Sequence, residues 1–473
     1  MRRLLIVTVS VCLAIAANGT RATPFNSVPQ ETVKTDATAR SAQVDALLAP
    51  LIQGSAPGAA VMVIQDGRVL HGKGYGMARL DRKEPVGLKT AFDLGSTSKQ
   101  FTAMAVMMLV ERGTLSYDDP LSDFFPEFPP YARGVTVRNL LNHTSGLVDV
   151  INPQWFRKGY EPTSKDLAKM IAREQSVRFA PGEKFEYNNA GYVLLALIIE
   201  KASGLRFARF MKEQIFKPLG MNSTVVFDET KPGVEHMAVS YFFEGNEFKP
   251  YAPTSDLFFY GPKGVVSTIE DMHKWEQALE TEKLVKASTL KQAFTPARLK
   301  DGTETSYGFG WYITRENDLY VHEHAGGYLA YRATIRRYPA QRTTVILLSN
   351  NALIEPTSLA KKISQIYLSD RVRGAPTMKI DSTLLKEYVG KYEAAPQGMP
   401  NLVIDITLEN GELYITSLIK PKTKLVAQSS TEFQIADTAS SVIFNRDERG
   451  VVNGLTLKTR RAVFDARKSP DNR

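Results

Sequence analysis

The sequence predicts a mixed α/β protein in which an antiparallel sheet is flanked by helices and followed by a small all-β domain. Residues 100–110 and 193–201 are apolar around a projected helix, which is typical of helices buried in a core. Three segments between residues 307 and 348 have the pattern of antiparallel strands in a central sheet. Residues 383–469 have a different sequence pattern. Short runs of alternating apolar and polar residues are separated by turn residues, as in an all-β meander or small barrel.

Composition excludes some classes of function. At 473 residues, with 43% hydrophobic and 23% charged residues, the chain is an ordinary globular protein long enough for two or three domains. The net charge is +9, but Lys and Arg are scattered among 50 acidic residues. No zinc-finger, Walker or RNA-binding signature accompanies them, so we expect no nucleic acid partner. Mild basicity suits an anionic envelope or acidic substrates.

The first 22 residues have the pattern of a secretion signal. Arg2 and Arg3 precede an apolar run over residues 4–17, and small residues offer cleavage sites after it. The run is short for a bilayer span, so we predict a periplasmic or secreted protein without a membrane span after signal removal. Cys12, the one cysteine, lies in this segment, which excludes thiol chemistry and cysteine-bound metals from the mature chain.

The elements of the main domain follow from local patterns. A helix is predicted near residues 41–49, stopped by Pro50. Asp66-Gly67 separates two strand-like runs and predicts a hairpin. A helix over 356–368 begins with Pro at a tolerated first-turn position. The predicted boundaries are a signal peptide at 1–22, a linker at 23–40, the main domain at 41–370, a second linker at 371–382, and the all-β domain at 383–469.

Ser96 and Lys99 stand at the start of the first apolar helix, and Gly113 ends it. Residues three apart share one helix face, and the backbone N–H groups of a first turn are unpaired. A Ser hydroxyl there can attack a carbonyl if a neighbouring group takes its proton, and a Lys desolvated by the helix can serve. The same Ser-x-x-Lys spacing recurs without a buried helix at Ser288 and Lys291, Ser358 and Lys361, and Ser417 and Lys420.

Two further clusters hold candidate functional side chains. Tyr187 and Asn189 precede the second apolar helix and are expected to project from a loop into a cleft. His324 is predicted on a strand that runs into Gly326-Gly327, and paired glycines indicate a bulge or a close approach by another backbone. His322 shares the face of His324, but no third ligand at useful spacing and no His-Glu-x-x-His motif occurs, so we expect no metal and no cofactor.

Taken in order, Ser96-x-x-Lys99, Tyr187-x-Asn189 and His324-x-Gly326 resemble the serine β-lactamase-like hydrolases, among them class C β-lactamases, D-aminopeptidases, related esterases and D,D-peptidases. The resemblance covers about residues 41–370. The 383–469 region resembles the lipocalin-like domain appended to some members. Further phrases that match are those at residues 143–147, 264–268 and 307–311.

This resemblance implies an antiparallel sheet flanked by a helical subdomain, with the cleft between them, and it implies roles for the motif residues. Ser96 would be the acylated nucleophile, and Lys99 and Tyr187 would share the general base and acid work, with the choice of base left open. Asn189 would orient Lys99 and the substrate. His324 would stand where many relatives carry Lys. The third motif would complete an oxyanion hole, in which Gly326 and the N–H groups of Ser96 and Gly327 take part.

One departure from the family pattern bears on substrate. The third motif is His-Ala-Gly, and no Lys-Thr-Gly or Lys-Ser-Gly occurs in the chain. Ala325 has no hydroxyl with which to hold a substrate carboxylate, so weak or no β-lactam turnover is expected. We predict an exported serine hydrolase acting on peptide (D-amino-acid), amide or ester substrates, with cell-wall-derived peptides among the candidates. The alternatives are a penicillin-binding receptor that is acylated without turnover, and a true class C-like β-lactamase.

Overall fold

The computed structural model describes residues 30–151, 162–228, 233–251, 259–316, 319–371, 380–394, 402–417, 420–436, 440–459 and 463–469, with the backbone alone for 30–37 and 420–421. The predicted signal peptide at 1–22 lies outside the described residues, as does most of the linker predicted at 371–382. Within the described ranges, every helix is too short or too polar to cross a bilayer.

The helices of the described chain frame the cleft and cover both faces of the main sheet. They are α1 (Gln30–Leu48), α2 (Lys99–Glu111), α3 (Leu121–Phe124), α4 (Val137–Leu141), α5 (Ser164–Arg173), α6 (Asn189–Ser203), α7 (Phe207–Phe210), α8 (Lys217–Leu219), α9 (Ile269–Ala278), α10 (Ala287–Ala293), α11 (Pro356–Leu368) and α12 (Ser382–Tyr388). The 3-10 turns are Gly95–Ser98, Pro130–Gly134 and Pro339–Gln341, and a π-helical turn spans Met211–Phe216.

The strands form one main sheet, three small sheets and a barrel. They are β1 (Ala59–Gln65), β2 (Arg68–Tyr75), β3 (Met77–Arg79), β4 (Glu84–Pro85), β5 (Ala91–Asp93), β6 (Val225–Val226), β7 (Tyr241–Glu244), β8 (Glu247–Pro250), β9 (Val265–Thr268), β10 (Tyr312–Glu316), β11 (Leu319–Tyr328), β12 (Tyr331–Tyr338), β13 (Thr343–Ser349), β14 (Gly390–Ala394), β15 (Leu402–Glu409), β16 (Glu412–Ser417), β17 (Lys420–Ala427), β18 (Glu432–Ile435), β19 (Ser441–Arg446), β20 (Val452–Lys458) and β21 (Val463–Lys468).

The main sheet separates two hydrophobic cores. Its strand order is β10-β11-β12-β13-β1-β2, with antiparallel pairing throughout. Alternate residues of β1 point to opposite faces, so Met62 packs in the large core that contains α2 and α6, and Val61 packs against α1 and α11. Because α2 and α6 lie inside the large core, both are apolar on every side, as the sequence predicted.

The fold class predicted from sequence is confirmed, and three local predictions need correction. Helix α1 begins at Gln30, so residues 30–40 of the predicted linker are helical, because they are rich in helix-forming Gln, Glu, Lys, Ala and Arg. Asn189 is the first residue of α6 instead of part of a loop, since the Asn188 side chain caps the helix by accepting from the Gly191 N–H (2.8 Å). The first strand predicted at 307–313 starts only at Tyr312, because Gly308 and Gly310 form a turn.

The C-terminal unit is a closed eight-stranded barrel, β14 to β21, in which β14 pairs with β21. Its interior is filled by side chains that form a core of their own, including Tyr392, Phe433 and Phe444. Helix α12 adds Tyr388 to this core. The ring of Tyr388 stacks on that of Phe444 with centroids 4.0 Å apart. The predicted all-β domain is therefore a packed barrel.

Candidate active site

Ser96 lies in the 3-10 turn Gly95–Ser98 that leads directly into α2, and Lys99 is the first residue of that helix. Ser96 is half-buried and the Lys99 side chain is fully buried. The Lys99 Nζ lies 3.1 Å from the Ser96 Oγ. One helical turn thus brings an amine into hydrogen-bonding contact with a partly accessible hydroxyl.

The Lys99 Nζ is surrounded by acceptors. Besides Ser96 Oγ, it donates to Asn189 Oδ1 (2.9 Å) and to the Pro262 carbonyl (3.1 Å). Three acceptors match the three N–H bonds of an ammonium. The same nitrogen lies 4.7 Å from the ring centroid of Tyr187, which brings the second predicted motif next to the first.

Tyr187 is half-buried in an aromatic cluster beside Lys99. Its ring centroid lies 4.3 Å from that of His143 and 6.2 Å from those of Tyr312 and His324. Tyr187 is set there by the two residues that follow it, because the Asn188 N–H donates to His143 Nδ1 (3.0 Å) and Asn189 begins α6. The three predicted motifs therefore meet in one place.

His324 is buried, and its ring nitrogens face two neighbours. Nδ1 lies 2.8 Å from the Ala325 carbonyl and Nε2 lies 2.9 Å from the Tyr307 hydroxyl. A carbonyl can only accept, so Nδ1 carries a proton, and in the neutral ring Nε2 accepts from Tyr307. Burial raises the pKa of Tyr307 well above its usual value, which keeps this phenol a donor. One ring proton is thus placed on Nδ1, and the direction of the bond between Nε2 and Tyr307 follows the charge of the ring.

The end of β11 lies directly against the Ser96 turn. A Cβ added to Gly326 would stand 1.8 Å from the Leu94 carbonyl oxygen, and one added to Gly95 would stand 2.7 Å from the Gly327 nitrogen. Thr97 Oγ1 donates to the His324 carbonyl (3.2 Å), which fastens the two segments together. The close backbone approach expected of the paired glycines is confirmed, and it brings the Gly327 N–H beside the turn that carries Ser96.

Residues 42–362 match the Beta-lactamase family model. This chain belongs to the β-lactamase family. It is 32% identical over 416 residues to "Penicillin-binding protein 4*" of Bacillus subtilis (strain 168), covering 82% of this chain and 90% of that protein. It is also 26% identical over 315 residues to "Protein flp" of Staphylococcus aureus (strain MW2), covering 65% of this chain and 62% of the relative, so it spans less than two thirds of that protein.

Solved structures show the same fold. The octameric penicillin-binding protein homologue from Pyrococcus abyssi superposes with a TM-score of 0.61 at 22% identity, covering 92% of this chain and 99% of that one. D-amino acid amidase from Ochrobactrum anthropi SV3 superposes with a TM-score of 0.59 at 23% identity, covering 71% and 99%. The resemblance inferred from the motifs is confirmed, and the chain is a serine hydrolase of the β-lactamase-like family.

Sequence reasoning missed Asp149, which organises one side of this β-lactamase-family site. Its carboxylate accepts from the Asn189 N–H (2.9 Å), from Asn189 Nδ2 (3.2 Å) and from the Ala190 N–H (3.3 Å). A carboxylate at a helix N-terminus is favoured by the helix dipole, and here it also turns the Asn189 oxygen toward Lys99. No local sequence pattern predicts the role of Asp149, because it lies 40 residues before Asn189 in the chain.

His143, His322 and Tyr307 contact other side chains or backbone groups in ways that support the fold. His143 Nδ1 accepts from the Asn188 N–H (3.0 Å), and burial followed by the nearby Lys99 charge lowers the pKa of His143 well below the usual range. His322 stacks on Phe294 with ring centroids 4.5 Å apart, away from the site. Tyr307, named in sequence only as part of a matching phrase, supports His324 through the hydrogen bond between its hydroxyl and Nε2.

Proposed function

We propose that this protein is an exported hydrolase that cleaves D-amino-acid peptides, amides or esters through an acyl-enzyme on Ser96, with weak or no turnover of β-lactams. The observation that carries the proposal is the 3.1 Å contact between Lys99 Nζ and Ser96 Oγ at the start of α2. The backbone of Gly327 lies directly against the turn that carries Ser96. Export is supported by the signal-like residues 1–22 and by the bacterial relatives.

In the first half-reaction, Ser96 Oγ bonds to the substrate carbonyl carbon, and the bond from that carbon to the leaving nitrogen or oxygen breaks. The N–H groups of Ser96 and Gly327 stabilise the oxyanion, each worth about 3 kcal/mol of barrier. The Ser96 proton passes through Lys99 or Tyr187 to the leaving group. A water then attacks the acyl-enzyme by the same route in reverse and regenerates Ser96.

The general base is either of two groups. As an ammonium, Lys99 donates to Ser96 Oγ and cannot take its proton, so a Tyr187 phenolate beside the cation would accept it. As a neutral amine, Lys99 would accept the proton directly. Asn189, oriented by Asp149, holds the Lys99 nitrogen in place for both routes.

The third motif favours substrates that do not need their carboxylate to be bound by His324 and Ala325. Ala325 has no hydroxyl, and His324 is charged only when its imidazole is protonated, so the motif offers no fixed positive charge such as a lysine would supply. D-amino acid amidase from Ochrobactrum anthropi SV3 has the same fold, and its name makes D-amino-acid amides the first substrates to test.

The proposal is tested by replacing Ser96 with Ala and measuring hydrolysis of p-nitrophenyl esters and D-amino-acid amides. We expect a loss of roughly a thousandfold or more in kcat, as for other nucleophile deletions. The matched control is Ser288→Ala, an exposed serine with the same spacing to a lysine, which should leave activity unchanged. If Ser96→Ala retains most of the activity, the proposed mechanism is wrong.

The second candidate is a receptor that is acylated by penicillin without turnover. It is favoured by the name of the relative from Bacillus subtilis, "Penicillin-binding protein 4*". The two functions differ only in deacylation. Mass spectrometry after mixing the wild type with a penicillin separates them, since a persistent adduct on Ser96 favours the receptor and rapid ester turnover without an adduct favours the hydrolase.

A further inference from the structure

The segment just before β9 forms part of the wall of the site and carries a second buried lysine. The Pro262 carbonyl accepts from Lys99 Nζ (3.1 Å), and the Val265 N–H donates to Ser98 Oγ (3.1 Å). Lys263 lies between these two anchor points and is 9% exposed. None of the three sequence motifs includes it.

The Lys263 ammonium lies over two aromatic rings. Its Nζ is 4.1 Å from the ring centroid of Tyr328 and 4.5 Å from that of Phe259. A partly desolvated cation over such rings gains attraction from their π faces. Tyr328 directly follows Gly327, so this cation packs on the residue next to one of the two N–H groups assigned to the oxyanion hole.

The same ammonium acts on Asp93, which supports the other segment. Asp93 Oδ1 accepts from the Gly95 N–H at 2.7 Å and so holds Gly95 at φ +49° immediately before Ser96. Burial raises the pKa of Asp93, and the Lys263 charge opposes that rise. Burial likewise lowers the pKa of Lys263 to about 8, and the Asp93 charge opposes that fall. Each group therefore helps to keep the other ionised.

We infer that Lys263 is a positioning residue for the oxyanion hole, because its ammonium packs on the ring of Tyr328, next to Gly327, and its charge acts on Asp93, the acceptor for the Gly95 N–H. This inference rests on the proposed function of Ser96. Tyr328 lies under the Lys263 ammonium, Tyr331 interacts with Asp93 and has its pKa raised by burial and then by that carboxylate, and Lys99 donates to the carbonyl of Pro262, the residue before Lys263.

A merely structural role of the Lys263 charge would change stability and leave the chemistry alone, since removing one of two opposite buried charges is destabilising wherever they lie. The positioning role instead predicts an effect on kcat and on the alkaline limb of the pH profile. Above about pH 8 Lys263 loses its proton, Asp93 loses its cation, and the turn before Ser96 loosens.

The experiment compares Lys263→Met and Lys263→Arg with the wild type, using kcat and KM for a p-nitrophenyl ester from pH 6 to pH 10 and thermal unfolding. Lys263→Met should lower kcat at least tenfold with KM changed less than threefold. Lys263→Arg should restore most of kcat and move the alkaline limb upward by one pH unit or more, because a guanidinium keeps its proton. The matched control is Lys274→Met, whose ammonium contacts the buried Asp271 (2.7 Å) on α9.

Several outcomes would overturn the inference. A Lys263→Met variant with a lowered Tm and an unchanged kcat would show that Lys263 contributes to stability and not to the chemistry. An alkaline limb that stays in place in Lys263→Arg would show that another group, such as Tyr187 or Lys99, sets it. If Lys263→Met does not fold, Asp93→Asn/Lys263→Met is measured in its place, and recovery of folding without at least a tenfold fall in kcat contradicts the role. Activity retained in Ser96→Ala would defeat the proposed function itself, which these variants do not test.

Discussion

The Asn189 side chain shows how a single polar residue decides the direction of another. A carboxamide has a donor end and an acceptor end of nearly equal size. Asp149 accepts from Nδ2, so Oδ1 is the end that faces Lys99. The charge of Asp149 therefore acts on the nucleophile through two intervening side chains.

At this scale we predict that Asp149→Asn lowers kcat roughly 10- to 100-fold, since charge-assisted hydrogen bonds of about 1.5–3 kcal/mol are weakened and Asn189 can rotate. Ester hydrolysis and thermal unfolding measure the two consequences. The control is Asp166→Asn, which changes another carboxylate at a helix start, bonded to Thr163, the N-cap residue of α5. A fall in activity no larger than that of the control would contradict the orienting role.

At the scale of elements, the site depends on how closely β11 approaches the turn before α2. Side chains cannot fit between them, because the nearest atoms to a Cβ on Gly326 belong to the backbone of Leu94 and Thr97. Backbone atoms in two packed elements cannot move aside as a flexible side chain can. Gly326 is thus required by contact between elements, not by an unusual dihedral angle of its own.

We predict that Gly326→Ala separates β11 from the Ser96 turn, lowering kcat at least 100-fold and the stability by about 1–3 kcal/mol. Activity assays and denaturant unfolding measure both. Gly87→Ala is the control, because an added Cβ there meets no atom within 4 Å and should leave both quantities nearly unchanged. Wild-type activity in Gly326→Ala would mean that the two segments are not held in register by this contact.

Across the whole molecule, buried histidines make stability depend on pH. His322 has its pKa lowered to about 4 by burial and then by the Arg337 charge. A depressed pKa means that the folded state prefers the neutral ring. Stability from this group is therefore complete above the unfolded value near 6.5 and is lost as pH falls toward about 4. The loss per group is at most about 1.4 kcal/mol for each pH unit.

We predict that His322→Phe flattens the fall of stability between pH 6.5 and pH 4 while keeping the stacking on Phe294. Nδ1 of His322 is buried without a hydrogen bond among the described residues, so an apolar ring loses no partner there. Urea unfolding at a series of pH values measures the slope. His236→Gln, at an exposed histidine, is the control. Equal slopes in His322→Phe and wild type would assign the acid sensitivity to other groups.

Patterns within the sequence determined the elements and one contact of the site. The β1–β2 hairpin, helix α11 and the buried character of α2 and α6 follow from turn residues, capping and periodicity, all of which act over a few residues. The pairing of Ser96 with Lys99 belongs with them, because helix geometry brings residues three apart together wherever the helix lies. The order of the motifs added Tyr187, Asn189 and His324 as candidates through the family resemblance.

The tertiary structure alone decided which distant residues support those candidates. Asp149 contacts Asn189, Tyr307 contacts His324, and the Lys263 charge acts on Asp93, across separations at which a local pattern holds no information about distance. The same holds for the contact of Gly326 with Leu94, which exists because the end of β11 packs directly on the turn before α2. Hydrogen bonds act only at contact distance and charge interactions weaken as the groups move apart, so the folded arrangement of the chain determines which groups tune the site.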